Sequence, residues 1–253
     1  MKKLNYLVAL FLCSFTFAQE NVTYQKPTNE ILELVEAPLA PSIRMDSKGE
    51  NIVFLFRSNF KSIETLSEKE MRLGGLRINP KTNINSRQTY FNDVKVRNGR
   101  NGDETAVSGL PENGRYANFL WSPNQKMMAF TNTVTNGVEL WILDIALKSA
   151  KKITDANLNA NTGRPFSWFK DNSSLLIKML AQNRKALIDT KTAVPSGPTI
   201  SVSEAGIKAQ NRTYQDLLKN KTDEHNVEQL ALSELHKVDI YGNISLWMKG
   251  DMY

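Results

Sequence analysis

The only side chains in this 253-residue sequence with an ordinary pKa near neutrality are His225 and His236, so any base-assisted nucleophilic chemistry must use one of them. Serine catalysis also needs a strained turn that lifts the hydroxyl out of the backbone, usually Gly-x-Ser-x-Gly, and that pattern occurs nowhere in the sequence. His225 lies in a polar insertion and is read as a surface residue; His236 occupies the position of Trp141 in a repeated strand pattern and is read as lying on a strand face. Eleven residues apart and without a neighbouring cysteine, they do not have the spacing of a zinc site. Asp144, Asp171 and Asp239 each stand beside a turn signal, which predicts turn hydrogen bonds rather than acid–base or calcium chemistry. Gly74-Gly75 and the stretch from Asn98 to Gly102 are turns without phosphate-loop spacing. The Asn-x-Ser/Thr triplets at Asn172 and Asn211 carry little weight. The expectation is therefore no catalytic residue, no metal site and no cofactor site.

Composition agrees with an ordinary globular chain: 41% hydrophobic and 23% charged residues. The formal charge of +6 falls to +4 without Lys2 and Lys3. Lys148, Lys151 and Lys152 form the densest basic spot, with no interleaved aromatics, and read as a solvated strand end rather than a nucleic-acid surface.

Lys2 and Lys3, the apolar run Leu7 to Cys13, and Thr16-Phe17-Ala18 have the order of a secretory signal, with cleavage expected after Ala18. The apolar run is too short to cross a bilayer. A lipoprotein reading through Cys13 is disfavoured because Leu10-Phe11-Leu12 lacks the small residues such processing prefers. Cleavage at Ala18 removes the only cysteine, so no disulfide or thiol chemistry is expected in the remainder.

The elements that would position any site come from an internal repeat. Trp121-Ser122-Pro123-Asn124-Gln125-Lys126, then Met128-Ala129-Phe130-Thr131, reads as a strand, a tight turn and a second strand. Trp168 to Ser173, then Leu175-Leu176-Ile177, repeats it 47 residues on. Met45 to Glu50, then Ile52-Val53-Phe54, is a fainter copy. A third strand ending in Asp follows in Glu139 to Asp144 and Glu234 to Asp239, with Gly75 to Pro80 as a weaker member. Closing strands follow at Lys151 to Thr154 and Ile244 to Trp247. Four-stranded repeats of this kind predict an all-β chain, an incomplete β-propeller of about three blades. The expected limits are residues 1–18 for the signal and 19–40 for a lead-in with a short helix at Glu30 to Val35. Blades are expected at about 41–110, 111–154 and 155–248, the last with an insertion near 189–229. Ser67 with Glu70 predicts a brief helix before a strand at Leu73 to Ile78, and Thr213 with Asp216 one near Tyr214 to Leu218. The four tryptophans are expected in blade cores.

The Trp-Ser-Pro-Asn-x-Lys turn with the Glu-Leu-Trp-Ile-Leu-Asp strand resembles the propellers of TolB-like proteins and of the prolyl oligopeptidase class of serine peptidases. Longer stretches narrow this: Pro38-Leu39-Ala40-Pro41, Leu76 to Pro80, Gly109 to Asn113, Leu187 to Thr190 running to Pro198, and above all Gln210 to Leu218. Together they resemble the N-terminal region of bacterial S9 peptidases related to plant glutamyl endopeptidases. The resemblance implies a seven- or eight-bladed propeller followed by an α/β-hydrolase domain that carries the triad, to which no position here corresponds. On that basis the chain is expected to be a truncated propeller part, with peptide substrates met by the complete protein. The chain is expected to leave unpaired edge strands and to associate through them. A TolB-like envelope module that binds a protein partner is the alternative. Neither nucleic acid nor a membrane beyond the signal is expected as a partner.

Overall fold

The computed structural model describes residues 25–99, 101–189 and 216–252. The signal-like segment and Asn211 lie outside them. Two compact units are present, Met1–Pro38 and Leu39–Tyr253. In the first, α1 (Asn29–Glu36) is the helix expected at Glu30 to Val35; it buries none of its residues and carries Glu30 in its first turn.

In the second unit, β1 (Ser42–Met45), β2 (Asn51–Phe56), α2 (Ile63–Ser67), β3 (Met71–Leu73), β4 (Leu76–Asn79), β5 (Ile84–Asn85), β6 (Asp93–Asn98) and β7 (Thr105–Ala106) come first. Next are β8 (Tyr116–Trp121), β9 (Met127–Val134), β10 (Gly137–Asp144) and β11 (Ser149–Lys152). The last group is β12 (Phe166–Trp168), β13 (Ser174–Leu180), α3 (Lys221–Ala231), β14 (Leu232–Asp239) and β15 (Ile244–Met252). These build three four-stranded antiparallel blades, ordered β1-β2-β6-β7, β8-β9-β10-β11 and β12-β13-β14-β15, plus a three-stranded sheet β3-β4-β5. The chain is all-β and propeller-type, as its repeat implies.

Alternation along the strands explains how the blades stack. In the middle blade, Met128, Phe130, Trp141 and Leu143 pack with Val53, Leu55, Val94 and Val96 of the first blade. The residues between them, Ala129, Leu140 and Ile142 with Val138, pack with Leu175, Ile177 and Val238 of the third. Both faces of β9 and β10 are thus buried, so Met127 to Phe130 and Leu140 to Leu143 are unbroken apolar runs. Phe130 sits at the centre of an aromatic group: its ring stacks on Phe119 at 5.0 Å and meets Tyr116 edge-on at 5.6 Å. The Tyr116 hydroxyl donates to Pro111 O at 2.7 Å. Burial pushes the pKa of that hydroxyl up to about 12, with the nearby Asp93 charge acting the same way.

The outer faces of the end blades differ. Positions equivalent to Trp141 and Leu143 are Lys95 and Arg97 in the first blade, lying over the rings of Phe56 and Phe54. In the third blade Lys237 stands where Ile142 would, over Phe169 at 5.2 Å. What the described residues leave open at each end of the stack is a sheet face, beside the inner and outer edge strands that every blade has.

The repeated turn is the same in all three blades. Gly49, Gln125 and Asn172 occupy one equivalent position, and each has a positive φ, at 69°, 58° and 59°. Adjacent turns are joined: Gln125 Oε1 accepts from Ser47 N and Oγ, and Asn172 Oδ1 accepts from Asn124 N at 2.7 Å. Asp144 accepts from Leu147 N, Asp171 from Ser173 N and Ser174 N, and Asp239 from Tyr241 N and Asn243 N. These are the turn bonds the sequence predicts. The Ser174 hydroxyl and the Ser173 N–H hold the Asp171 pKa below the usual carboxylate value, and the Asn243 side chain and N–H do so for Asp239. A folded-state pKa below the unfolded one adds stability above the ordinary carboxylate range and loses it as pH falls through the folded values. The urea midpoint should therefore drop between about pH 5 and about pH 3, and Asp239→Asn should reduce the drop. An unchanged midpoint across that window would contradict it.

Several local expectations fail. Leu73 to Ile78 is a hairpin, β3 and β4, turning at Gly74 and Gly75 with φ 57° and 80°. Gly75 to Pro80 is therefore not the first blade's third strand; that strand is β6, which ends in Asn98 where the other blades end in Asp. Ser67 closes helix α2 rather than opening one, and Ser62 is the cap, accepting from Thr65 N. Asp216 to Leu218, the described part of the helix expected near Tyr214, is not helical. Trp247 is 55% exposed on β15, beside Phe169 at 5.5 Å, rather than in a core. Trp141 is buried, and Trp121 and Trp168 are half-buried against the blade cores.

Candidate functional site

In an antiparallel blade the first and third connections lie at one end and the second connection at the other. The second connection is the long one in two blades: residues 57–92 in the first and 181–231 in the third. In the middle blade it is the tight turn at Thr135 and Asn136. Gly137, just after it, leaves no room for a side chain, since a Cβ would stand 2.0 Å from Ala156 O. The two insertions therefore share one face and meet there.

Their junction has an apolar centre, with Leu73 and Ile78 packed on Leu230, joined by Leu187 and Val227. Polar contacts surround it. Arg184 donates to Gln229 O at 2.6 Å and to Asn83 Oδ1 at 3.0 Å. Ala160 N donates to Asn83 O, and residue 160 bridges Ile84 in parallel. Asn159 is fully buried; its Nδ2 donates to Leu230 O and Ser233 Oγ at 2.9 Å and to Leu232 O at 3.3 Å. Asn226 accepts from Ile188 N and donates to Ile188 O, so helix α3 carries polar side chains on its buried face.

Two recesses flank this junction. A groove of about 690 Å³ runs between the insertions, lined by Lys69, Glu70, Arg72, Leu187 and Asp223 among others. Its charges are mixed. Glu70 accepts from the Ser86 hydroxyl and pairs with Arg72 at 2.8 Å; the Ser86 bond leads in holding its pKa below the usual carboxylate value. A cleft of about 400 Å³ lies between the start of the first insertion and the entry to β8, and includes Arg57, Lys61, Tyr90 and Arg115. Arg115 reaches Glu68 with both terminal nitrogens, at 2.7 and 3.4 Å, and lies 4.4 Å over the Tyr90 ring. Sequence inspection misses both recesses, because their walls come from segments far apart in the chain.

The residues weighed first for chemistry are scattered. His225 lies on α3 with Nε2 3.0 Å from Ala186 O. His236 lies on β14, its Nε2 3.2 Å from Glu234 Oε2. The middle blade repeats that contact, with Trp141 Nε1 donating to Glu139 Oε2 at 2.8 Å. His236 is thus a variant of a repeated structural position, and among the described residues neither histidine is hydrogen-bonded to a serine hydroxyl. Among the described residues no three His, Cys, Asp or Glu side chains are grouped to hold a metal ion. Lys148 donates to Thr105, Lys151 lies over Tyr241, and Lys152 pairs with Asp155 and Glu139, so the basic spot is largely engaged within the fold.

No protein-family model matches the chain. Sequence comparison finds proteins named as chloroplastic glutamyl endopeptidases. That of Oryza sativa subsp. japonica is 31% identical over 87% of this chain and 25% of its own length. That of Arabidopsis thaliana is 30% identical over 87% of this chain and 24% of its own. The chain is a relative of these endopeptidases and spans about a quarter of their length. Among solved structures, an acylaminoacyl peptidase of Pyrococcus horikoshii matches 85% of this chain and 26% of that one, at 14% identity and TM-score 0.40. A protein described as TolB from Agrobacterium tumefaciens matches 85% and 53%, at 10% identity and TM-score 0.36.

Proposed function

We propose that this chain is the non-catalytic propeller portion of an exported S9-class serine peptidase. The observation that carries the reading is the 30–31% identity to glutamyl endopeptidases along 87% of the chain, against only a quarter of their length. On this reading acyl transfer belongs to a hydrolase domain in the rest of the protein, with a serine activated by a histidine base. The blades stand over that domain and admit peptides small enough to pass. The insertion junction, which ties the first blade to the third, keeps that entrance rigid. Export follows from Lys2, Lys3, the run to Cys13 and the small residues before Gln19.

The test uses the native protein. A polypeptide that contains this sequence, isolated from its source, should react with a fluorophosphonate probe at a serine outside residues 1–253, within Gly-x-Ser-x-Gly. Residues 19–253 alone should not react. The native product should begin at Gln19. A native polypeptide that is inert to the probe and lacks that motif would overturn the assignment.

A further inference from the structure

We propose that the 400 Å³ cleft at the start of the first insertion binds a short peptide through a carboxylate. Its lining contains three cations, Arg57, Lys61 and Arg115, three aromatic rings, Phe60, Tyr90 and Phe91, and no Asp or Glu. Glu68 neutralises Arg115 from behind. Arg57 and Lys61 have no carboxylate partner among the described residues, so the cleft carries uncompensated positive charge inside a concave wall, where its field is strongest.

The walls are built in advance of any ligand, which lowers the ordering cost of binding. Asn92 N donates to Phe56 O, and Asn92 Nδ2 donates to Ser58 Oγ at 2.9 Å, fixing the chain just before Phe60. Ser62 caps α2 just after Lys61. The segment bearing Phe60 and Lys61 is thus pinned on both sides, yet Phe60 itself is 69% exposed. Gly114, which also lines the cleft, lies so close to the Tyr116 ring that a Cβ there would strike it, which fixes this part of the wall against the blade core. The volume suits two or three residues of peptide, with a carboxylate on Arg57 and Lys61 and an apolar side chain on Phe60. A carboxylate of this kind comes from an acidic side chain or from a chain terminus.

Titration of the chain with three peptides tests this: acetyl-Phe-Glu-amide, acetyl-Phe-Gln with a free terminus, and acetyl-Phe-Gln-amide. At least one carboxylate peptide should bind roughly tenfold tighter than the neutral amide, and the tighter of the two identifies the source. Arg57→Gln and Lys61→Gln should each weaken that binding by roughly tenfold, and added salt should weaken it further. Lys170→Gln, at the opposite end of the blades, should leave it unchanged. Both cleft residues are exposed, so unchanged thermal melting will show that the variants fold. Absence of binding by every peptide, equal binding of the neutral amide, or indifference to both cleft substitutions would overturn the proposal. The measurement uses this chain alone, so its failure leaves the peptidase assignment standing.

Discussion

Phe130→Ala should lower stability by about 3–5 kcal/mol, the range for emptying a fully buried aromatic site. Phe130 is 1% exposed on β9, one of the two central strands of the middle blade, with rings of Tyr116, Phe119 and Trp141 around it. Those neighbours sit on strands whose opposite faces are committed to the third blade, so they have little freedom to close the cavity. Phe130→Leu should recover most of the loss, because volume rather than aromaticity dominates such sites. The measurement is the urea midpoint with its slope. A loss below about 1 kcal/mol for the alanine variant would show that the first and second blades are not packed on this residue.

Asn159→Ala should cost about 3–4 kcal/mol, though it removes only a small side chain. The truncation removes the side-chain donor to Leu232 O and one of the two donors to Leu230 O, where only Asn161 Nδ2 remains, and leaves the Ser233 hydroxyl short of a partner and Asn161 N without the Oδ1 it donates to. These groups lie where the second–third blade linker meets the end of the third blade's insertion. Its effect should be local first: α3 and residues 184–188 should become protease-sensitive before the blades unfold. Asn159→Ser should not rescue it, because a hydroxyl is too short to reach the same carbonyls. Uniform protection of α3 in the variant would contradict the role assigned to this side chain.

Much of this architecture is legible in the sequence because the middle blade is buried on both faces. Its strands read as continuous apolar runs, and its turn carries the Pro and Asn that tight turns need. The repeat then locates the third blade through Trp168 and Asp239. The first blade is less legible, since its third strand, Asp93 to Asn98, alternates Val with Lys and Arg, and the Leu76 to Asn79 strand offers an equally good local pattern. Pairing with Asn51 to Phe56 decides between them, and pairing is not local. Helix α3 is not legible in the sequence, for a different reason. Its buried residues include Asn226 and Gln229, which are satisfied by main-chain groups of residues 185–188, so no apolar stripe marks its inner face. The cationic cleft draws on residues 57–65, 88–92 and 114–115, whose proximity only the fold supplies.

The most direct test of the stacked-blade account is native-state hydrogen exchange resolved by strand. The amides of Met127–Val134 and Gly137–Asp144 should exchange slowest in the chain, because both faces of their sheet are covered. Those of Ser42–Met45 and Ile244–Met252, at the open ends of the stack, should exchange fastest among the blade strands. Exchange in the middle blade as fast as in Ile244–Met252 would contradict it.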